Sequence, residues 1–267
     1  MYYDPIKEVL NKLITKHNLF RKVFYIFLDL FILRQWYVKK AISSILTSHF
    51  PPSHSQILFY DAGAGFCQYS DYVLTKYKFI DVFAIDTKTG FLSNYADSLN
   101  PKKRNRFSYL QGDLTEFLLK KTKANIVIAI DILEHIKDDV AVLRNIYNSM
   151  NENSFLIIST PSNFCQATSD IKEHVRSGYD IKELKEKAQS VGFDFFSYLY
   201  TYGFWGNIYW QLGIRASVKI VNISRFLLFL LPFYLMIVFI PSTLFMILDF
   251  LWKNKKGNGI LMILKKI

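Results

Sequence analysis

The chain has 267 residues, of which 51% are hydrophobic and 17% aromatic, and its 33 basic and 22 acidic side chains give a net charge of +11. This length allows one α/β domain with additions, and the composition is apolar for a wholly soluble protein. Cys67 and Cys165 are too few for a disulfide framework, and the mixed charges of the first 17 residues do not fit a secretory signal. We therefore expect a protein of the reducing cytosol.

The first 50 residues predict helices. Apolar residues recur at helical spacing from Ile6 to Ile14, and aromatic residues interrupted by charges continue the pattern. Pro51 and Pro52 end this section because each lacks a backbone N–H and disfavours helix in the residue before it. The sequence thus predicts an N-terminal helical cap, residues 1–50, that precedes an α/β domain.

Short apolar runs alternate with helical patterns through the middle of the chain. This rhythm predicts a parallel sheet covered by helices. Asp180 is a typical N-cap, and Gly192 a typical C-terminal stop, for the helix that precedes the sixth apolar run. The predicted strands are residues 57–60, 82–85, 107–110, 126–130, 155–160 and 193–200.

Two glycines follow the first predicted strand in the stretch YDAGAGFCQYS. Gly63 and Gly65 would let the backbone approach a ligand, while the next helix presents free N–H groups. A dinucleotide fold would need a small residue three positions after Gly65, where Gln68 stands. An ordinary strand-to-helix turn is the other explanation.

Acidic residues follow the predicted strands that come next. Asp86 ends the second strand, where a carboxylate can accept both hydroxyl protons of a ribose, or can cap a helix instead. Asp113 follows the third strand and Asp131 the fourth. Because open α/β sheets bind ligands outside the carboxyl ends of their strands, these acids are expected to share one crevice.

These motifs resemble class I S-adenosylmethionine-dependent methyltransferases of the small-molecule type, and in particular the ubiquinone-biosynthesis group. The acidic residue and G-x-G of the family's first motif are matched by Asp61, Gly63 and Gly65, while Cys67 replaces a frequent third glycine. The stretch NIVIAIDILEHIKDD is similar to the family's fourth motif. The resemblance implies that S-adenosylmethionine is the cofactor.

The resemblance also assigns roles to the acids. It implies that Asp113 faces the adenine amino group and that Leu114 packs on the adenine ring. With these two, the predicted cofactor-binding residues are Asp61, Gly63, Gly65, Asp86 and Asp131.

Two histidines are predicted catalytic residues, because a hydroxyl acceptor should lose its proton near the moment of attack. His174 follows the fifth strand, where related enzymes place substrate-facing residues, with Arg176 beside it for an anionic acceptor. A solvated histidine in a charged loop is the alternative, and His135 could equally bond locally at a helix start. Asp131, Glu134 and His135 resemble a metal set of ubiquinone-type O-methyltransferases, but we predict no metal, because such groups often open helices without an ion.

Residues 226–248 contain no charged side chain, and basic residues flank both ends. The length would permit a transmembrane helix, but Pro232 and Pro241 would each kink or break it. Residues 256–266 are predicted as the last, antiparallel strand, so both ends of the segment share a compartment. We predict a re-entrant or interfacial hairpin at the cytoplasmic face of a membrane, with buried helices or a dimer interface as alternatives.

The predicted fold is a Rossmann-like, seven-stranded methyltransferase sheet with an apolar helical insertion between strands six and seven. Residues 51–210 and 257–267 form the cofactor-binding domain, and residues 211–256 the membrane-associating insertion. The first helix lies at the headgroup level, over the cofactor pocket, or both. The charge is assigned to a membrane surface, since no nucleic-acid-reading module is recognisable.

The predicted function is O-methylation of a lipid, a lipid-linked saccharide or another amphipathic small molecule. The alternatives are a soluble acceptor with the insertion as an anchor, and a catalytically retired cofactor-binding scaffold. A nicotinamide-dependent enzyme is disfavoured by Gln68. The oligomeric state is left open.

Overall fold

The computed structural model describes residues 18–51, 56–120, 122–165, 175–217, 220 and 231–267. The strands are β1 (Ile57–Ala62), β2 (Ile80–Asp86), β3 (Phe107–Gln111), β4 (Ala124–Ile130), β5 (Met150–Pro161), β6 (Asp194–Thr201) and β7 (Gly259–Lys266). The helices are α1 (Asn18–Phe31), α2 (Leu33–His49), α3 (Gln68–Lys76), α4 (Thr89–Asp97), α5 (Pro101–Arg104), α6 (Asp139–Asn148), α7 (Ile181–Ser190), α8 (Phe204–Tyr209) and α9 (Leu231–Leu251). A 3₁₀ turn spans Leu133–His135, and a π-helical turn spans Trp210–Arg215.

The strands form one seven-stranded sheet in the order β3-β2-β1-β4-β5-β7-β6, in which β7 is antiparallel to both neighbours. This confirms the predicted fold class, including the antiparallel last strand and the helix between β6 and β7. Gly259, the first residue of β7, pairs with Pro161 on one side and with Thr201 on the other. The carboxyl ends of β5 and β6 therefore lie beside the start of β7.

The central strands β1, β4 and β5 are largely buried on both faces, as expected for parallel strands that are apolar throughout. Ile57 and Phe59 of β1 belong to one core cluster, whereas Tyr60 and Ala62 belong to another. This alternation follows the two-residue period of a strand. The first cluster includes residues of α2, α3, α4 and α9, and the second includes residues of α6 and α7. Helices thus cover both faces.

Capping residues set the helix limits largely as the sequence indicates. Asp180 accepts a hydrogen bond from Lys182 N at the start of α7, and Gly192, with φ of +108°, follows its end. Ile136 precedes α6 and Met150 begins β5, so both lie outside this helix. Asp138 accepts from the backbone of the first turn and starts α6.

The apolar insertion contains a continuous helix of 21 residues, α9. Pro241 lies inside this helix without ending it, so the expectation that this proline divides the segment was wrong. Residues 218–219 and 221–230, which include most of the first arm of the predicted hairpin, lie outside the described residues. The part that can be compared is therefore the second arm, which is helical as predicted.

Candidate cofactor site

The candidate site lies along the carboxyl edge of the sheet. The strands β1, β2 and β4 are parallel, and Asp61, Asp86 and Asp131 stand at or just after their ends. Asp113 follows β3, which pairs with β2 in parallel. Among the described residues, all the acids that were predicted to bind the cofactor thus follow neighbouring strands at one edge.

The turn after β1 needs both of its glycines. Gly63 has φ of +80°, and a Cβ there would lie 2.1 Å from Ile132 Cδ1. Gly65 has φ of +50°, and the space where its Cβ would stand is open. Cys67 adopts φ of +59°, a left-handed conformation that glycine tolerates best. The turn therefore exposes its backbone to the crevice at Gly65.

Asp86 joins the end of β2 to this turn. One of its carboxylate oxygens accepts a hydrogen bond from Gly65 N and the other from Lys88 N, each at 2.9 Å. A carboxylate oxygen can accept about two hydrogen bonds, so each retains capacity for another donor. Asp86 is half-buried, and the geometry suits a pair of neighbouring hydroxyl groups.

Asp61 lies beneath the turn and does not share the exposure of Asp86. Its side chain is 2% exposed and accepts a hydrogen bond of 2.6 Å from Ser70 Oγ. Burial raises the pKa of Asp61 from 3.8 to about 7. The carboxyl group therefore ties β1 to α3 from inside, and Ser70 is a partner that the sequence analysis missed.

Asp113 and Leu114 occupy different environments. The exposed Asp113 accepts hydrogen bonds from the N–H and the hydroxyl of Thr115, at 2.8 and 2.7 Å, and so shapes its own loop. Leu114 is buried in the second core cluster, and its carbonyl accepts a hydrogen bond from Asn145 Nδ2. The core thus fixes the position of this loop at the sheet edge.

The N-terminal cap reaches the same edge through Arg34. Its guanidinium pairs with Asp131, which adopts φ of +52° after β4. The Arg34 backbone N–H lies in the first turn of α2, where no carbonyl of the helix is available, and it donates to the Tyr202 hydroxyl at 3.1 Å. Arg34 and Tyr202 were not found from the sequence, because no local spacing marks either residue.

The 3₁₀ turn carries Glu134 and His135. Glu134 is 1% exposed, and Thr160 Oγ1 donates to its carboxylate at 3.1 Å. Burial raises the pKa of Glu134. His135 is half-buried beside Glu134, at the end of the 3₁₀ turn that follows β4.

A sequence model described as "Methyltransferase domain" matches residues 60–156, which include the glycine turn and all four acids of the sheet edge. Residues 60–156 therefore belong to a methyltransferase domain. A search of curated proteins finds no match. Nothing in these comparisons bears on the finer resemblance to the ubiquinone-biosynthesis group, which stays a prediction.

Solved structures share the fold of this methyltransferase. A protein from Galdieria sulphuraria, provisionally named sarcosine dimethylglycine methyltransferase, has a TM-score of 0.56 at 12% identity, over 88% of this chain and 84% of its own. Phosphoethanolamine N-methyltransferase 2 from Haemonchus contortus, solved with S-adenosylmethionine, also has a TM-score of 0.56, at 14% identity over 84% of this chain. The alignment spans only 51% of that protein's length. At such identities the likeness shows the fold alone.

A third structure with this fold is the [4+2]-cyclase SpnF, with a TM-score of 0.55 at 12% identity, over 80% of this chain and 76% of its own. The same architecture therefore also supports a reaction that its name does not describe as methyl transfer. Fold alone does not fix the reaction or the acceptor, which depend on individual side chains.

The described residues fit the cofactor of a class I methyltransferase. The open space at Gly65 admits a ligand close to the backbone, and Asp86 retains acceptor capacity for sugar hydroxyls. When bound, S-adenosylmethionine supplies an electrophilic methyl group on its sulfonium. The contribution of the protein is then to orient the acceptor and exclude water.

The first described helix covers the glycine turn of the methyltransferase. The Tyr25 hydroxyl donates to the Phe66 carbonyl at 2.6 Å, and Phe24 packs edge-on against the Phe66 ring at 5.3 Å. Arg21 is 8% exposed and donates to the Asn94 carbonyl. The inner face of α1 is therefore a lid over the cofactor turn, one of the two positions expected for this helix.

Two residues, His174 and Arg176, were predicted to contact the methyl acceptor. His174 lies outside the described residues, so its place is not known. Arg176 pairs with Asp139 and donates to the carbonyls of Ile136 and Lys137, and its contact with an anionic acceptor stays a prediction. Within the described ranges, no group of three His, Cys, Asp or Glu side chains could hold a metal ion.

A polar cavity of about 800 Å³ lies at the opposite, amino edge of the sheet. Its lining groups bond to one another or to the backbone: Gln56 donates to Asp81, and Asn125 accepts from Leu58 N. It is remote from the glycine turn, and its satisfied side chains point to no ligand. We assign it no role in methyl transfer.

Proposed function

We propose that the enzyme methylates an oxygen atom of a lipid, a lipid-linked saccharide or another amphipathic small molecule at the cytoplasmic face of a membrane. The position of the insertion carries this proposal. The chain leaves the sheet after Thr201 and returns at Gly259, and these residues pair beside Pro161 at the carboxyl edge. The apolar segment therefore emerges at the edge that carries the cofactor turn.

The apolar character of the insertion supports a membrane contact. Residues 233–251 form a helix of mean hydropathy 2.1 that is long and apolar enough to cross a membrane, yet only 22% of this stretch is buried. Packing into the protein core therefore accounts for only a minor part of its apolar surface. A membrane that receives this surface would also bring lipid headgroups towards the cofactor site.

The cofactor-binding roles belong to the same proposal. The backbone of Gly63 and Gly65 approaches S-adenosylmethionine, and Asp86 binds the ribose hydroxyls. Asp113 and Leu114 recognise adenine, and Asp131 completes the site. Asp61 acts on the cofactor indirectly, because its buried carboxyl group bonds to Ser70 and holds the glycine turn in place.

Two histidines remain candidates for the base, His135 and His174. His135 is placed at the sheet edge beside the buried Glu134, which is consistent with a proton acceptor near the acceptor hydroxyl. His174 belongs to the segment between β5 and α7.

The decisive experiment supplies radiolabelled S-adenosylmethionine with membrane lipid extracts and follows label into the organic phase. We expect label in a lipid product with the wild-type enzyme and none with Asp86→Ala. Transfer only to water-soluble compounds would favour the first alternative, a soluble acceptor with the insertion serving as an anchor.

The second alternative is a cofactor-binding scaffold without turnover. The [4+2]-cyclase that shares the fold, and the cysteine at the third-glycine position, make this a specific possibility. Calorimetry would show S-adenosylmethionine binding in both cases. Formation of S-adenosylhomocysteine with any lipid or soluble extract would exclude the scaffold.

A further inference from the structure

The outer face of α1 is apolar, although its inner face serves as the lid. Arg21, Phe24 and Tyr25 face the protein through the contacts described above. On the opposite side, the large apolar side chains are 44 to 69% exposed. This outer set recurs at spacings of one and three residues, which places it along one face of a helix: Leu19, Phe20, Val23, Ile26, Phe27 and Leu30.

The helix α9 has a similar division along its whole length. On its inner side, the Tyr234 hydroxyl donates to the Leu212 carbonyl at 2.6 Å, and the Phe245 ring stacks on Trp205. These contacts hold the helix along the domain, which is the geometry of an interfacial helix and not of a free span. Its outer side is a stripe at spacings of one, three and four residues: Phe233, Met236, Ile237, Ile240, Leu244, Ile247 and Leu251.

The two helices contact each other through residues beside their outer faces. Phe31 at the end of α1 contacts Phe239 in the middle of α9, with ring centroids 5.4 Å apart. The carboxyl end of α9 is fixed by Asp249, which is fully buried and accepts hydrogen bonds from the Tyr37 hydroxyl and from Gly206 N. Both helices therefore belong to one surface, called here the α1/α9 surface and defined by the two outer sets.

The charge around the α1/α9 surface favours an anionic bilayer over a second copy of the chain. Lys22 is exposed on α1, and Lys253, Lys255 and Lys256 are exposed after α9. Trp252, which is 68% exposed, stands between these lysines and the apolar stripe, as aromatic residues do at membrane interfaces. A symmetric dimer through this face would bring like charges together, whereas anionic headgroups attract them.

We propose that the α1/α9 surface binds an anionic lipid bilayer in the plane of the membrane. This deepens the proposed function, which requires a membrane acceptor, by naming the surface that meets the membrane. Since the inner face of α1 covers the glycine turn, the helix that lies in the headgroup layer is also the lid of the cofactor site. Bilayer binding therefore positions the lid and the cleft together.

Vesicle sedimentation tests the proposal without an activity assay. The full chain is mixed with vesicles of phosphatidylcholine, alone or with phosphatidylserine. We expect binding to the mixed vesicles, and a loss of roughly tenfold or more in partitioning for the pairs Val23→Glu with Ile26→Glu and Ile237→Glu with Ile240→Glu. The matched control is Ile267→Glu, an exposed apolar position at the amino edge of the sheet, which should bind like the wild type.

Calorimetric binding of S-adenosylmethionine by each variant separates this proposal from the proposed function. A variant that binds cofactor but not vesicles supports the docking surface, whatever its activity. If a glutamate pair prevents folding, a second measurement replaces the sedimentation of that variant. Brominated lipid should quench the emission of Trp252 in the wild-type chain, with Trp252→Phe as the reference. Wild-type binding that neither glutamate pair weakens, no wild-type binding, or a dimer held by this face would overturn the proposal.

Discussion

The carboxylate of Asp86 accepts a hydrogen bond from Gly65 N at 2.9 Å, so a single side chain positions the turn that follows β1. Its other oxygen bonds to Lys88 N. Because charged hydrogen bonds to a ligand contribute about 1.5 to 3 kcal/mol, Asp86→Ala should weaken S-adenosylmethionine binding at least tenfold. Isothermal titration calorimetry measures this.

The control for Asp86 is Asp81→Ala on the same strand. Asp81 lies near the start of β2 and bonds to Gln56 at the opposite edge of the sheet. Its loss should leave cofactor affinity unchanged. Equal affinity in wild type and Asp86→Ala would mean that the cofactor does not use this carboxylate.

The buried Asp61 should make stability fall with pH. Its pKa is about 7 in the folded chain and near 3.8 when unfolded, because burial favours the neutral form. Between these values the unfolded state releases its proton first, so stability decreases as pH rises from about 4 to 7 and levels off above 7. Asp61→Asn keeps an acceptor for Ser70 and should flatten this dependence, measured as melting temperature across that range.

The two profiles for Asp61 can be compared directly. The wild type should lose on the order of 4 kcal/mol across this interval relative to Asp61→Asn. Parallel curves for the two proteins would show that the carboxyl group ionises normally in the folded state.

The sheet and its cofactor edge were predictable because they depend on local patterns. Apolar runs such as residues 126–130 are buried on both faces, which is the condition for a parallel strand to be visible in sequence. The glycine turn was predictable from its residue types, because glycine adopts positive φ angles most readily. Since parallel strands end at one edge, Asp86 and Asp131 could be placed together before the structure was considered.

Contacts between distant segments were not predictable in this way. Arg34 meets Asp131 and Tyr202 only because α2 packs across the finished sheet. Asp249 reads in sequence as the charged end of an apolar run, yet it is fully buried by partners from α2 and α8. Pro241 does not end α9, because tertiary packing on either side holds the helix.

The buried Asp249 should be essential for stability. In Asp249→Ala, Gly206 N loses its carboxylate acceptor inside the protein, whereas the Tyr37 hydroxyl keeps the Asp249 backbone carbonyl. Leaving the buried Gly206 N–H unpaired costs roughly 1 to 3 kcal/mol of the free energy of unfolding. Urea denaturation measures the loss.

A partly exposed carboxylate gives the comparison for Asp249. Asp29 pairs with Lys39 on the protein surface, and Asp29→Ala should cost less than about 1 kcal/mol. A similar small loss for Asp249→Ala would show that α9 is not anchored through this side chain.

The catalytic histidine can be identified by comparing His135→Ala and His174→Ala with a control, His49→Ala. In the wild type the His49 imidazole packs on Phe155, away from the carboxyl edge of the sheet. Removing the general base should lower kcat by roughly hundredfold or more while cofactor affinity stays near wild type. The rise of kcat with pH that a general base produces should vanish in the same variant. If all three variants keep wild-type kcat and pH profile, then neither His135 nor His174 is the base.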